Sequence, residues 1–231
     1  MCCLSAQHAG AKTGLVPTWL KVGFTAWLSV LIFFDWTFYG PWIQLWFCNV
    51  GNIILAIALW RESRLLFSWQ AISLLAVDAF FTIDYLGRWI LGFHPIGGTE
   101  YMFDAEHYPL HMRLLSLFHL VIPILLIWGI RRFGYDRRAL PLQVATMWVL
   151  LLISYFFAPP EMDINYVLGP FEKTQTYMAP GLYLLVCMLV YPLILNVPPH
   201  LLLSAYQRRL ERRGGAEGDA RAAAPTPFTS K

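Results

Sequence analysis

The stretch Leu115–Arg132, LSLFHLVIPILLIWGIRR, decides the fold. Between Leu117 and Ile130 the one ionisable side chain is His119, and the run closes on two arginines. A bilayer core takes about 20 mostly apolar residues per helix. Extended back to Pro109, the stretch satisfies that length and reads as a spanning helix over Pro109–Ile130.

Working outward, five further stretches share this character: Thr18–Phe38, Trp42–Trp60, Leu65–Tyr85, Leu142–Ala158 and Gly181–Ala205. Pro17, Pro41, Pro109, Pro141 and Pro180 stand at five of the six starts, where a missing N–H costs nothing. Backbone in hydrocarbon must satisfy itself, so these runs are helices; the alternation of a membrane barrel is absent. The composition agrees. The 231 residues are 58% hydrophobic and 13% charged, against roughly 45–50% and 25% in soluble domains. So little charge excludes a disordered chain or a nucleic-acid-binding surface for the bulk of the protein. Four cysteines are no disulfide framework.

The expected fold class is therefore all-α: a polytopic transmembrane bundle of six spanning helices. Its orientation follows from Lys and Arg. With the N-terminus inside, twelve fall on inner segments, from Lys12 and Lys21 to Arg212 and Arg213; outside lie Arg88, Arg113 and Lys173. Both termini are expected to be cytoplasmic. Residues 1–17 form a leader, 18–206 the six-helix domain, and 207–231 a disordered basic and polar cytoplasmic tail. The leader lacks the apolar core of a secretory signal, and Cys2 and Cys3 stand where acylation is conceivable. The expected location is a bacterial plasma membrane, with membrane lipids as partners. No cofactor and no metal site is expected. HExxH, G-x-S-x-G, P-loop and GxGxxG signatures are all missing.

Polar residues inside a membrane are costly and mark function by default. At 1.5 Å per residue, Cys48, Asp78, His119 and Cys187 all fall roughly 9–15 Å below the outer surface. Asp84 and Asp35 lie shallower, and the inner half shows almost no comparable residue. Gln44, Cys48 and Asn52 follow i, i+4, i+8 and share one helix face, with Asn49 beside it. Two long outer loops, Gly87–Tyr108 and Pro159–Pro180, cover this layer; the second carries Asn165 and Tyr166.

Each of these residues also has a plain structural reading, as a small buried hydrophobe, a hydrogen-bond donor between helices or an interfacial anchor. Two functional readings stand beside it. In the first, Cys48 is a nucleophile, His119 its base, Asp78 or an Asn amide orients the imidazole, and Asn49 or Asn165 steadies an oxyanion. That set fits acyl transfer or hydrolysis on a membrane lipid. In the second, preferred here, the protein is a non-catalytic scaffold or a carrier of a small solute or ion, with Asp35, Asp78, Asp84 and His119 lining a polar cavity in the outer half. Gln44, Asn49, Asn52, Asp84 and Tyr166 are candidate binding residues.

From about Trp19 to Tyr206 the chain resembles a bacterial family described only as membrane-associated proteins. The likeness is carried by YGPWIQLWFCNVGNIILAIALW, LSLFHLVIPILLIWGIRRFGYDRRALPLQ and DINYVLGP. More distantly it resembles the YwaF-type integral membrane proteins, through Cys48 in FCN, His119 in LFHLVIP and Asn165-Tyr166. That group includes a eukaryotic transmembrane acyltransferase of ether phospholipids. The distant resemblance thus implies Cys and His as catalytic residues.

Overall fold

The computed structural model describes residues 15–223. Cys2 and Cys3, and most of the expected leader, lie outside the described residues. Helices account for all of its regular structure, and no strand occurs among the described residues. Eight α-helices follow one another: α1 (Thr18–Tyr39), α2 (Phe47–Arg61), α3 (Arg64–Leu91), α4 (Leu110–Ser116), α5 (Phe118–Phe133), α6 (Ala139–Phe157), α7 (Pro180–Tyr191) and α8 (Val197–Ala223).

Five helical stretches are long and apolar enough to cross a membrane: Thr18–Tyr39, Arg64–Leu91, Leu110–Phe133, Ala139–Phe157 and Pro180–Arg212. The second expected span, Trp42–Trp60, differs. A 3-10 turn covers Pro41–Leu45, the chain is extended at Trp46 (φ −58°, ψ 139°), and α2 then runs only 15 residues. Gln44 therefore does not share a helix with Cys48 and Asn52, and the i, i+4, i+8 face reduces to its last two members. Gly40-Pro41, a glycine at φ 86° and a proline ring, separates the 3-10 turn from α1, and extended Trp46 separates it from α2.

Elsewhere the boundaries move for local reasons. Pro141 lies in the first turn of α6 rather than at its start. α3 continues six residues past Tyr85, ending on Gly92 in the left-handed region. α8 stays helical to Ala223, beyond the expected boundary at 207. Loss of apolar periodicity is not loss of helix propensity, and Gln207 donates to Glu211 one turn on.

α3 is the axis of the bundle. It packs on α2, α5, α6 and α8, and Phe67, Ala71, Ile72 and Leu74 on it are fully buried. Small residues set the close approaches. A Cβ at Gly129 of α5 would stand 2.3 Å from Phe67, and one at Gly51 of α2 would stand 2.7 Å from Leu74. This is the small-residue packing that membrane helices favour. The outer surface is apolar, with Trp19, Phe33, Trp89, Ile124, Phe157 and Leu202 all exposed. Arg64, Tyr135 and Gln207 meet at one end, with Arg61, Arg131 and Arg132 on the same helix termini, here the basic end. Asn165 meets Leu45, Phe47 and Ser154 at another, here the loop end.

Candidate functional site

Asp84 ends the third expected span and was expected to bind a ligand. Its carboxylate is instead fully engaged. One oxygen accepts from the amides of Ile96 (2.7 Å) and Gly97 (2.9 Å), the other from the amide and hydroxyl of Thr99 (2.8 and 2.7 Å). His94 adds an ion-pair contact at 3.3 Å. Asp84 is the post around which the loop Phe93–Thr99 winds.

Asn165 is likewise a clasp. It sits in left-handed backbone (φ 60°), as asparagine tolerates. Its carboxamide oxygen accepts from the Phe47 amide at 3.0 Å; its nitrogen donates to the Leu45 carbonyl (2.9 Å) and the Ser154 hydroxyl (3.1 Å). These bonds satisfy the backbone groups freed where the 3-10 turn breaks before α2. Tyr166 packs its ring on Trp46 and Phe171. The late Asn-Tyr pair thus holds the FCN segment in place.

His119 follows the break between α4 and α5. There the Leu120 amide bonds to the Leu117 carbonyl, one position short of the α-helical register. The Ser116 carbonyl is left over, and His119 Nδ1–H donates to it at 2.8 Å. Pro123 has no N–H to return to the His119 carbonyl. The imidazole is stacked between Phe118 (3.9 Å) and Phe81 (4.3 Å). No hydrogen bond joins it to Cys48.

Cys48 is half-buried, and its sulfur stands 4.0 Å from the Asn49 carboxamide oxygen. Through Asn49 the sulfur neighbours the Asp35 carboxyl of α1. Asn49 ties α2 to α1, donating to Asp35 (3.2 Å) and to the Ile43 carbonyl (3.0 Å). Tyr101, from the loop after α3, packs its ring on Tyr108 at 5.6 Å, and burial, partly offset by a hydrogen bond from Ser116, holds its phenol above the ordinary value.

Asp78 differs from every other carboxylate described. It is fully buried, and neither oxygen has a hydrogen-bond partner. Asn52 is also fully buried with both carboxamide atoms unpartnered; the Gln44 nitrogen is unpartnered too. Gly51 packing on Leu74 fixes where α2 crosses α3. Asn52 is one residue, and Asp78 four, from that crossing. Among the described residues neither Asp35 nor Asp78 forms an ion pair, and no three His, Cys, Asp or Glu side chains stand together to hold a metal ion.

The structure thus brings Asp35, Cys48, Asn49, Asn52 and Asp78 to one level and assigns His119, Asp84 and Asn165 to holding the backbone around it. The opposite half, expected to hold almost no comparable reactive or ionisable residue, does hold uncharged polar ones. Gln70, Gln143, Asn196 and Ser204 are buried toward the basic end. Gln143 accepts from Trp69 Nε1 at 2.7 Å, and Tyr135 Oη meets His200 Nδ1 at 2.7 Å. Their signal was present as pairs eight apart, Gln70 with Asp78 and Asn196 with Ser204, which share helix faces. Comparison with family models, with curated proteins and with solved structures finds no match to this chain.

Proposed function

We propose that the protein is a six-span integral membrane protein, both termini cytoplasmic, that carries a small cation through a polar cluster in its outer half. The 3-10 turn and α2 supply the sixth crossing. Five residues at about 2.0 Å and fifteen at about 1.5 Å add to about 32 Å, enough for a bilayer core of ~30 Å. The basic end then faces the cytoplasm of a bacterial plasma membrane. The likeness to YwaF-type proteins through FCN, LFHLVIP and Asn165-Tyr166 fits such a bundle.

One observation carries the reading: Asp78 is sealed in the bundle with two unpartnered oxygens. An unpaired buried carboxylate is among the costliest groups a membrane protein can hold. Asp35 adds a second carboxyl, bonded to Asn49, and no Lys or Arg neutralises either. A proton or a small cation would supply the missing charge, with Asn52, Asn49 and Gln44 offering amide oxygens. Catalysis by Cys48 would need a base in contact with its thiol; among the described residues the thiol's one hydrogen-bond contact is the Asn49 carboxamide oxygen, and none joins it to His119.

Flux into proteoliposomes, read with proton-, Na⁺- and K⁺-sensitive dyes, tests this. Wild type should move one of these ions, Cys48→Ser should match it, and Asp78→Asn should fall to background. Flux unchanged in Asp78→Asn, or none in wild type, removes the carrier role.

A further inference from the structure

Below Asp78, toward the basic end, more buried polar atoms lack partners. Both carboxamide atoms of Gln70, the Asn196 oxygen and the Ser204 hydroxyl are unpartnered, and all three side chains are at most 3% exposed. Their placement is ordered. Gln70 stands eight residues before Asp78 on α3, hence on its face. Asn196 reaches α3 from the π-turn before α8 and donates to the Ile72 carbonyl at 3.3 Å. Ser204 lies eight residues further along α8, on the Asn196 face.

A backbone irregularity aims Asn196 inward. Pro192 cannot donate to the Met188 carbonyl, which Trp148 Nε1 takes at 2.7 Å instead. The chain widens into a π-turn over Pro192–Asn196, a feature that recurs at functional sites. From the level of Asp78 to that of Ser204 the row covers about 21 Å, some two-thirds of a bilayer core. It ends near the Tyr135–His200 pair and Arg64, whose guanidinium donates to the Tyr135 carbonyl.

We propose that Asp78, Asn52, Asn196, Gln70 and Ser204 line a water-bearing file that conducts protons from the loop end to the basic end. This rests on the carrier reading above and names the cation as the proton. Buried water bonds to otherwise unsatisfied polar groups such as these. The step balances simply. Asp78 takes one proton from the loop end and releases it to a water held by Asn52 and Asn196, which becomes hydronium while the carboxylate re-forms. Each water passes one proton on, and one leaves at the basic end, where the His200 imidazole can accept it. The amides keep their hydrogens and only orient the waters. Toward Asp78 the titratable neighbours are Cys48 from α2, Asp35 from α1 beyond it, and His119 from α5 behind Phe81. α6 and the π-turn present only uncharged Gln143 and Asn196, and α8 carries His200 at the far end.

The full chain is reconstituted with an internal pH dye, and proton entry is driven by a K⁺ diffusion potential. The infrared band of protonated Asp78, identified by its loss in Asp78→Asn, reports the loop-end site separately. Gln70→Leu and Asn196→Leu should each slow proton entry at least tenfold with the Asp78 band and its pH response intact; Gln70→Glu should conduct. Should both leucine variants conduct like wild type while Asp78→Asn does not, the file is overturned and the carrier stands. If Asp78→Asn also conducts, both readings fall.

Discussion

Asp84 and Asp78 stand six positions apart on one helix, both sealed from solvent, and their surroundings are opposite. Asp84 receives four hydrogen bonds from a loop that folds back onto it. Asp78 receives none. The first is a carboxylate used as architecture, its charge absorbed by backbone amides. The second side chain makes no hydrogen bond that holds the fold, so it points to a task outside stability. Burial alone would have ranked them together; the hydrogen-bond census separates them.

The contrast breaks most readily at Asp84. Asp84→Ala leaves the Ile96, Gly97 and Thr99 amides without their acceptor and should cost roughly 3–5 kcal/mol. A melting curve in detergent, with proteolysis of the 92–99 loop, reads it; an unaltered melting temperature would mean the loop is held by something else. Asp78→Leu should do the reverse. Removing an unpartnered buried carboxyl for an apolar side chain of similar size is expected to leave stability within about 1 kcal/mol or raise it by ~1–2 kcal/mol. A large destabilisation there would make Asp78 structural and erase the distinction.

Glu62 sharpens the comparison from the surface. It too gathers backbone amides, those of Leu15 (2.9 Å) and Val16 (3.1 Å), with Lys21 at 2.7 Å. The Lys21 hydrogen bond, then those two amides, lower its carboxyl from 4.5 to about 2. A depressed acid stabilises the fold above its unfolded value and loses that contribution as pH falls toward about 2. The docking of Leu15–Val16 should therefore hold at pH 5 and loosen between pH 4.5 and 2. Limited proteolysis of the N-terminal segment across that range would show it. The effect is the smallest of the three, since water screens exposed charges.

The helical bundle could be read from the chain because hydrocarbon tolerates little else: long apolar runs, proline starts and clustered arginines locate it without any contact information. A depth shared by Cys48 and Asp78 is what rise per residue predicts. Roles did not follow from it. His119 and Asn165 have the residue types of catalysis, yet each bonds backbone groups freed by a helix break, at Ser116 and at Leu45–Phe47. The Asn165 clasp joins segments 118 and 120 positions apart, which periodicity does not encode. Gln70 and Asn196 carry no charge and so fall outside a layer drawn through reactive and ionisable groups.

By itself, the sequence determined which segments seek an apolar solvent and which end of the molecule carries positive charge, since both depend on composition summed over twenty residues. Only the tertiary structure decided which buried polar groups find partners. That is a matter of ångström placement across helices, where a Gly51–Leu74 crossing or a π-turn at Pro192 moves one amide into a bond and leaves another without one.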